Sequence, residues 1–416
     1  MLKIKLLFLA VLASTTISAH ENIVSPQVNS EKSVGQTPAK KQSANYIIDE
    51  HSKVPLMATY DNAIPKDIKF MDRFSGDEPE LLDYVIVRTL KANVRALPGL
   101  NSPVLEQIDF NKKIRIYSKV MNMGTFWYEV KTSKGERGYI SAQLVAFRTF
   151  RFNEALKRIT KVENFIDEAR RDGISLAVVN SYAPNPNNEN MDRKKDKYGH
   201  SADQNTRALT DNGEEIFIPD RSIMTILERE GNTARVKVES IPEILNINTR
   251  NLSPQAKLDN QKVEKAVVID TENQNMIIFE KIEGEWSIIS YVQSKTGLES
   301  KLGFETPKGS FLAAVSKFEM LYNNEISEKM GYARYATRFS GGGYLHGTPV
   351  NYEELINKEY FMSQKEENLG TLSGTRKCVR TSEDHARFIF DWITNNQYNR
   401  NSNDQHIRDN VLFVIL

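Results

Sequence analysis

The apolar positions of this chain change their spacing several times. Between Tyr84 and Phe150 they come in short β-branched and aromatic runs, YVIVRTL (84–90), KIRIYSKV (113–120), FWYEVKT (126–132) and RGYISAQLVAF (137–147). The turn-forming PGLNS (98–102) and SKGERG (133–138) part them. Strands this short at this spacing predict a small all-β barrel or sandwich. From Arg151 the period lengthens: Leu156, Ile159, Val162, Ile166 and Ala169 fall on one helical face, and Gly173 follows as a stop. That predicts one amphipathic helix, packing the small barrel against the next element. After a polar, loop-like stretch, Ser181–Gln204, the barrel pattern returns in EEIFIPD (214–220), SIMTILER (222–229), ARVKVES (234–240) and LNINTRNLS (245–253). From Lys265 the runs are again strand-like: KAVVIDTENQNMIIFEK (265–281), EWSIISYVQSKTG (285–297), TPKGSFLAAVSKF (306–318) and a closing VLFVIL (411–416). A short helix over Ser382–Trp392, with Ser382 as N-cap, interrupts them. The expected fold is mostly β and multidomain, and the length of 416 residues agrees with about two or three domains.

The N-terminal residues lack this patterning. His20–Lys53 is rich in Ser, Gln, Asn, Lys and Val, and residues 20–80 are read as a flexible tether. Ahead of it, the lysines of Met1–Lys5, the apolar Leu6–Ala13 and the small, polar Ser14–Ala19 have the order of a secretory signal, expected over residues 1–19. No later stretch approaches the roughly 18 apolar residues of a membrane helix, so no span is expected after signal cleavage. The expected location is outside the cytoplasm, in the periplasm or cell wall. Lys plus Arg is 55 against 54 for Asp plus Glu, and this balance lacks the basic footprint of a nucleic-acid partner. A single cysteine excludes an internal disulfide framework and every multi-cysteine zinc or iron–sulfur site.

That cysteine, Cys378, is the first candidate for chemistry. Arg376, Lys377 and Arg380 surround it, and nearby cations stabilise a thiolate, the nucleophilic form. The bland alternative is a buried, inert thiol, since free cysteines pack well. A thiol nucleophile needs a base, usually His. Of the six histidines, His20 and His51 lie in or near the tether, His200 in a polar loop, and His406 in NSNDQHIRDN. His385 sits on the short helix and is expected at the surface. His346, in FSGGGYLHGTP (339–349) at the end of a strand-like piece, is the best-placed base. No two histidines have metal-ligand spacing, and neither a phosphate-binding loop nor a G-x-S-x-G elbow is present, so no metal or cofactor is expected.

Two resemblances follow. Asn93, Val94, Arg95, Trp127, Gly138 and Tyr139 carry an order, N-V-R-A-x-P, W-Y-E-V, G-Y-I, that resembles bacterial SH3-like (SH3b) domains. I-P-D-R-S-I-M-T-I-L followed by R-V-K-V looks like a second, degenerate unit. Further on, V-I-D-x-x-x-Q (Val268–Gln274), S-x-T-G (Ser294–Gly297), T-P-x-G-x-F (Thr306–Phe311), H-G-T-P (His346–Pro349) and C-V-R (Cys378–Arg380) occur in the order of the L,D-transpeptidase catalytic domain (YkuD) family, which this part resembles. The expected layout is an SH3-like barrel over 81–150, a helix and polar connector over 151–204, the second SH3-like unit over 205–260, and a β-rich L,D-transpeptidase catalytic domain over 264–416. The resemblance implies Cys378 as nucleophile, His346 as general base and Arg380 facing substrate. Tyr344, Gly347 and Thr348 are expected to contact substrate as well, and the backbone at Lys377 and Cys378 to hold the oxyanion.

The chain departs from the family in reading Thr375-Arg376-Lys377-Cys378 where S-H-G-C or S-S-G-C is usual, so Lys377 stands in a glycine's place. The stretch Asn351–Leu372 reads as a lid-like insertion, with Tyr352, Tyr360 and Phe361 as aromatic anchors and Gly370 and Gly374 near its hinge. The expected activity is peptidoglycan cross-linking through a cysteine thioester on a tetrapeptide donor stem. Trimming of stems as an L,D-carboxypeptidase, and wall binding without catalysis, are the alternatives. The expected partners are peptidoglycan stem peptides, with wall glycan or peptide held by the SH3-like units. The barrels lie outside the motif-bearing region, so the chemistry is not expected to need them.

Overall fold

The computed structural model describes residues 47–180, 194–300, 303–323 and 328–416, apart from the side chains of 256 and 257. The expected signal over 1–19, the tether up to residue 46 and residues 181–193 of the connector lie outside the described residues. Within these bounds the chain is strand-rich and forms four sheets.

The first sheet runs Val104–Asp109, Lys91–Arg95, Arg137–Ser141, Thr125–Lys131, Lys113–Asn122, Asp83–Val87, Val145–Thr149. Its alternating residues enclose Val85, Val94, Ile116, Val130 and Ile140. Residues 47–80 differ from the expected tether. Leu56–Thr59 pairs with Lys113–Asn122, and buried Asp49 accepts from Arg137 Nη2 (2.7 Å) and Tyr139 Oη (3.0 Å). Phe74 lies on His385, ring centroids 3.6 Å apart. Single anchors hold this segment, not a repeating apolar face, so no period betrays its order.

Helix α1 (Phe152–Arg171) forms as predicted, with Glu154 in its first turn, Arg170 and Arg171 in its last, and Gly173 beyond it at φ +67°. Its buried face (Ala155, Ile159, Val162, Ile166) packs on Val268, Ile277, Phe279 and Ile288. Arg151, just before it, forks onto Asp270 at 2.6 and 2.9 Å. The second sheet runs Glu215–Pro219, Asn205–Thr210, Ile244–Asn248, Thr233–Val238, Ile223–Glu230, Leu176–Val179, Leu252–Pro254. Leu176–Val179 thus belongs to this sheet, although it falls in the segment read as helix and connector. The short helix α2 (Ala256–Asn260) leads on to the C-terminal region.

There the third sheet is ordered Glu285–Gln293, Asn275–Ile282, Val263–Asp270, Asn410–Ile415, Gly309–Leu312. Both faces of Val263–Asp270 are covered: Ala266 and Val268 meet α1, while Val267 and Ile269 face the fourth sheet. This double burial is why its sequence is a continuous apolar run. The fourth sheet runs Val379–Arg380, Gly343–His346, Lys329–Ser340, Val315–Asn323, Asp404–Gln405, with Val350–Asn351 also on Lys329–Ser340. Helix α3 (Lys358–Glu367) stands in the insertion. Helix α4 (Glu383–Ile393) starts at Ser382, whose Oγ accepts from His385 N, and buries Ile389 and Ile393 between these sheets.

Candidate active site around Cys378

The sequence motifs converge on one polar frame. Gln274 clamps Thr296 twice: Oε1 accepts from its N–H (2.9 Å) and Nε2 donates to its Oγ1 (2.7 Å). Thr306 Oγ1 accepts from Gly297 N (2.8 Å) and donates to Lys377 O (2.9 Å). A Cβ on Gly297 would lie 2.4 Å from Phe304 O and 2.8 Å from Lys377 Cα, so only glycine lets these segments close. Thr375 N donates to Thr296 O (3.0 Å), and the Thr375 hydroxyl donates to Cys378 O. The V-I-D-x-x-x-Q, S-x-T-G and T-P-x-G segments therefore hold the turn that carries Cys378.

Beyond that turn, Val379–Arg380 pairs in parallel with Gly343–His346, matching Leu345 with Val379 and His346 with Arg380. Leu345 and Val379 are buried in the core, which leaves His346 and Arg380 together on the opposite face. One step back, Cys378 meets Tyr344 and Gly342: its sulfur takes a hydrogen bond from the Tyr344 N–H and lies 3.8 Å from Gly342 O. Cys378 is half-buried. Burial pushes its thiol pKa up, opposed by the Tyr344 N–H and the Lys377 cation. Burial also lowers the His346 pKa to about 4, against the bond to Gly347, with Arg380 adding to the fall. Both the thiol and the imidazole are therefore neutral near pH ~7. His346 Nδ1 lies 2.7 Å from Gly347 O, an acceptor that only a protonated Nδ1 satisfies, so the Nε2 lone pair is left to take a proton.

The other expected residues divide. Arg380 is partly buried and donates from Nη2 to Lys365 O (3.2 Å), while its Nε is buried without a partner. Burial lowers its pKa, and Glu366 opposes this. Gly347 is taken up by its surroundings: its carbonyl meets His346, its N–H donates to Arg334 O, and a Cβ there would lie 2.2 Å from Glu383 Oε2. Thr348 differs from its expected place at the substrate, being 1% exposed with its hydroxyl on Glu366 Oε1 (2.6 Å). His385 is buried, not at the surface, bonded to Ser290 Oγ (2.8 Å). Among the described residues no cluster of His, Cys, Asp and Glu could hold a metal ion, and no helix is long and apolar enough to cross a membrane.

A second set of residues around Cys378 was not legible in the sequence. Lys377 is 3% exposed, and its Nζ donates to Gln204 Oε1 (3.1 Å), from the segment entering the second sheet. The same Gln204 oxygen lies 3.1 Å from where a Cβ on Gly342 would be. Gln204 is thus wedged between the two segments that flank the sulfur. Burial lowers the Lys377 pKa to about 8, opposed by Asp220 and Cys378. Asp220 is itself buried, 3.6 Å from Arg338 Nη1. A cleft of about 330 Å³ opens beside Lys377, between Thr296, Gly297 and Thr306 on one side and His200 and Asn205 on the other. Only three-dimensional closeness assembles this set, since Gln204 carries no motif.

Residues 90–146 match the bacterial SH3 domain family. No curated protein matches the chain. Among solved structures, an L,D-transpeptidase from Mycobacterium smegmatis aligns at 14% identity, over 48% of this chain and 70% of that one, with a TM-score of 0.25. L,D-transpeptidase 1 of Mycobacterium tuberculosis aligns at 14% identity, over 60% and 89%, TM-score 0.24. An L,D-transpeptidase from Stackebrandtia nassauensis aligns at 16% identity over 37% of this chain, which spans 56% of that protein, TM-score 0.24. The chain is similar to bacterial SH3 domains over residues 90–146 and, over the partial shares just given, to solved L,D-transpeptidases.

Proposed function

We propose that this protein acts on peptidoglycan as an L,D-transpeptidase, with Cys378 as nucleophile and His346 as general base. The observation that supports the reading is the parallel pairing of Val379–Arg380 with Gly343–His346, which brings the strand ending in His346 alongside the segment that follows Cys378, together with the Nε2 lone pair that the bond to Gly347 leaves available. His346 Nε2 takes the thiol proton as the sulfur attacks the carbonyl of an L,D peptide bond in a donor tetrapeptide. The Lys377 and Cys378 N–H groups, which bond no described residue, donate to the developing oxyanion. The C–N bond then breaks, His346 returns its proton to the leaving amine, and a thioester remains on Cys378. An amine of a second stem takes the acyl group and restores the thiol. Water in its place makes the protein an L,D-carboxypeptidase.

The protein acts in this reading outside the cytoplasm, in the periplasm or at the wall, where the SH3-like units hold it on glycan or peptide. Arg380 and Tyr344 face the donor. Incubation with isolated muropeptides, with products read by mass spectrometry, tests it. Cross-linked dimers support transfer, and loss of the terminal D-residue alone supports trimming. Cys378→Ala should abolish both while keeping the fold. His346→Ala should lower turnover by about 10²–10⁴-fold. Binding to sacculi with no product from the parent protein would leave the wall-binding reading, which Lys377 in a glycine's place favours.

A further inference from the structure

Beside Cys378 and His346 lies a pair of cations, of which the reading above gives only Arg380 a place at the donor and Lys295 none. Lys295 and Arg380 exchange both backbone hydrogen bonds, Lys295 N to Arg380 O at 2.8 Å and Arg380 N to Lys295 O at 2.9 Å. Such directly bonded antiparallel partners carry their side chains on the same face, with Cα atoms about 5.5 Å apart. Arg380 is in turn matched with His346 across the parallel ladder. Lys295, Arg380 and His346 therefore form one row across three neighbouring backbone segments, with the Cys378 turn beside it.

Neither cation has a carboxylate of its own. The Lys295 ammonium is partly buried under Gly374, 3.6 Å from where a Cβ there would be, and no described residue accepts a bond from it. Burial and the Arg380 charge hold its pKa down to about 8. Arg380 has one bond, to a carbonyl, and an unpartnered Nε. The nearby carboxylate, Glu366, has one oxygen engaged by the Thr348 hydroxyl and the Glu383 N–H. Two like charges taken partly out of water repel each other and lose hydration, and an arriving anion relieves both penalties.

Resting on the reading of Cys378 and His346 as the reacting pair, we propose that Lys295 and Arg380 form a carboxylate-binding subsite for the acyl donor. Arg380 offers the fork and Lys295 the point charge. A tetrapeptide donor brings such a group at its terminal D-residue, one residue beyond the reacting carbonyl, and can bring another on a side chain.

The test is calorimetric binding of a synthetic tetrapeptide to the full chain carrying Cys378→Ala, which binds without turnover. Three ligands are used: the free acid, its C-terminal amide, and a peptide amidated only on its side-chain carboxylate. Adding Lys295→Met should weaken free-acid binding by about 10–100-fold, the scale of a lost charge-assisted bond. Lys295→Arg should recover most of it. The amidated ligand that already binds as weakly as the free acid binds to the Met variant, and does not respond to Lys295→Met, identifies which carboxylate is held. Equal weakening of all three ligands by Lys295→Met, or no weakening of any, overturns the subsite. Turnover of muropeptides by the parent protein is read separately, so failure of the catalytic reading leaves the charge dependence of binding intact.

Discussion

Lys377 adopts φ +123°, a region that glycine enters freely and other residues enter at a cost of about 1–3 kcal/mol. Its buried bond to Gln204 and the nearby Asp220 hold it there. Lys377→Gly and Lys377→Ala both delete the ammonium, but only Ala keeps the strain. The Gly variant should therefore be more stable than the Ala variant by about 1–3 kcal/mol in chemical denaturation. Equal stabilities would mean that the backbone relaxes around Ala. His385 allows a pH prediction. Burial lowers its pKa from 6.5 to about 3, so the unfolded chain binds the proton more tightly. Its contribution to stability is present above pH 6.5 and is lost as pH falls toward about 3. His346 acts in the same sense down to about 4, whereas Glu78, raised from 4.5 to about 7 by burial, loses its contribution as pH rises through that window. The difference between variants isolates His385: His385→Gln should lose less Tm than the parent between about pH 7 and about pH 5. A parallel loss in both proteins would mean that His385 is free to protonate when folded.

The insertion after His346 was legible as an element but not in its orientation. Its aromatic residues suggested a lid closing on the groove. In the structure the polar residues Lys365 and Glu366 of α3 meet Arg380 and Thr348, whereas Tyr360 remains 63% exposed. The first sheet fastens the return of this element. Asn111 Nδ2 donates to Asn368 Oδ1 (2.6 Å), Lys113 Nζ to Leu369 O (3.0 Å), Tyr84 Oη to Gly370 O (2.7 Å) and Arg148 Nη2 to Thr371 O (3.1 Å). Gly370, read as a hinge, is packed against Tyr84 and Gln293. Tyr84 is fully buried, so Tyr84→Phe leaves a carbonyl unpaired at a cost of about 1–3 kcal/mol. Thermal unfolding measures it, and an unchanged Tm would show that water replaces the hydroxyl.

At the scale of the molecule, the expectation that the C-terminal region stands without the preceding sheets meets a different structure. Tyr46–Leu416 is one compact unit. Helix α1 covers one face of the third sheet, and Arg221 of the second sheet's turn is buried with Nε on Leu312 O at 2.9 Å. Removing α1 would expose Val268, Ile277 and Phe279 together, each worth about 1.5–3 kcal/mol on burial. A chain of residues 264–416 should therefore be aggregated or unfolded by circular dichroism, whereas residues 47–416 should fold. A soluble, cooperatively melting 264–416 fragment would refute this. Gln204→Ala gives a subtler measure of the same dependence, because it removes the Lys377 partner without exposing a core.

The sequence by itself determined the mostly β class, helix α1 and the strand runs, and it singled out Cys378 and His346, the pair proposed above to react. Those features are local: period, turn residues and short motifs record the surroundings of their own segment. The first SH3-like unit was legible for the same reason. Tertiary structure decided what local pattern cannot encode. Residues 47–80 are ordered by isolated anchors such as Asp49 and Phe74, Leu176–Val179 joins a sheet across the stretch read as a connector, and His385 is drawn into the interior. Most of all, it brought Gln204 to Lys377 and Lys295 to Arg380. Charged and amide side chains at these positions look like ordinary surface polarity in a sequence. Folding makes them partners, because a buried cation must find an acceptor or await an anion.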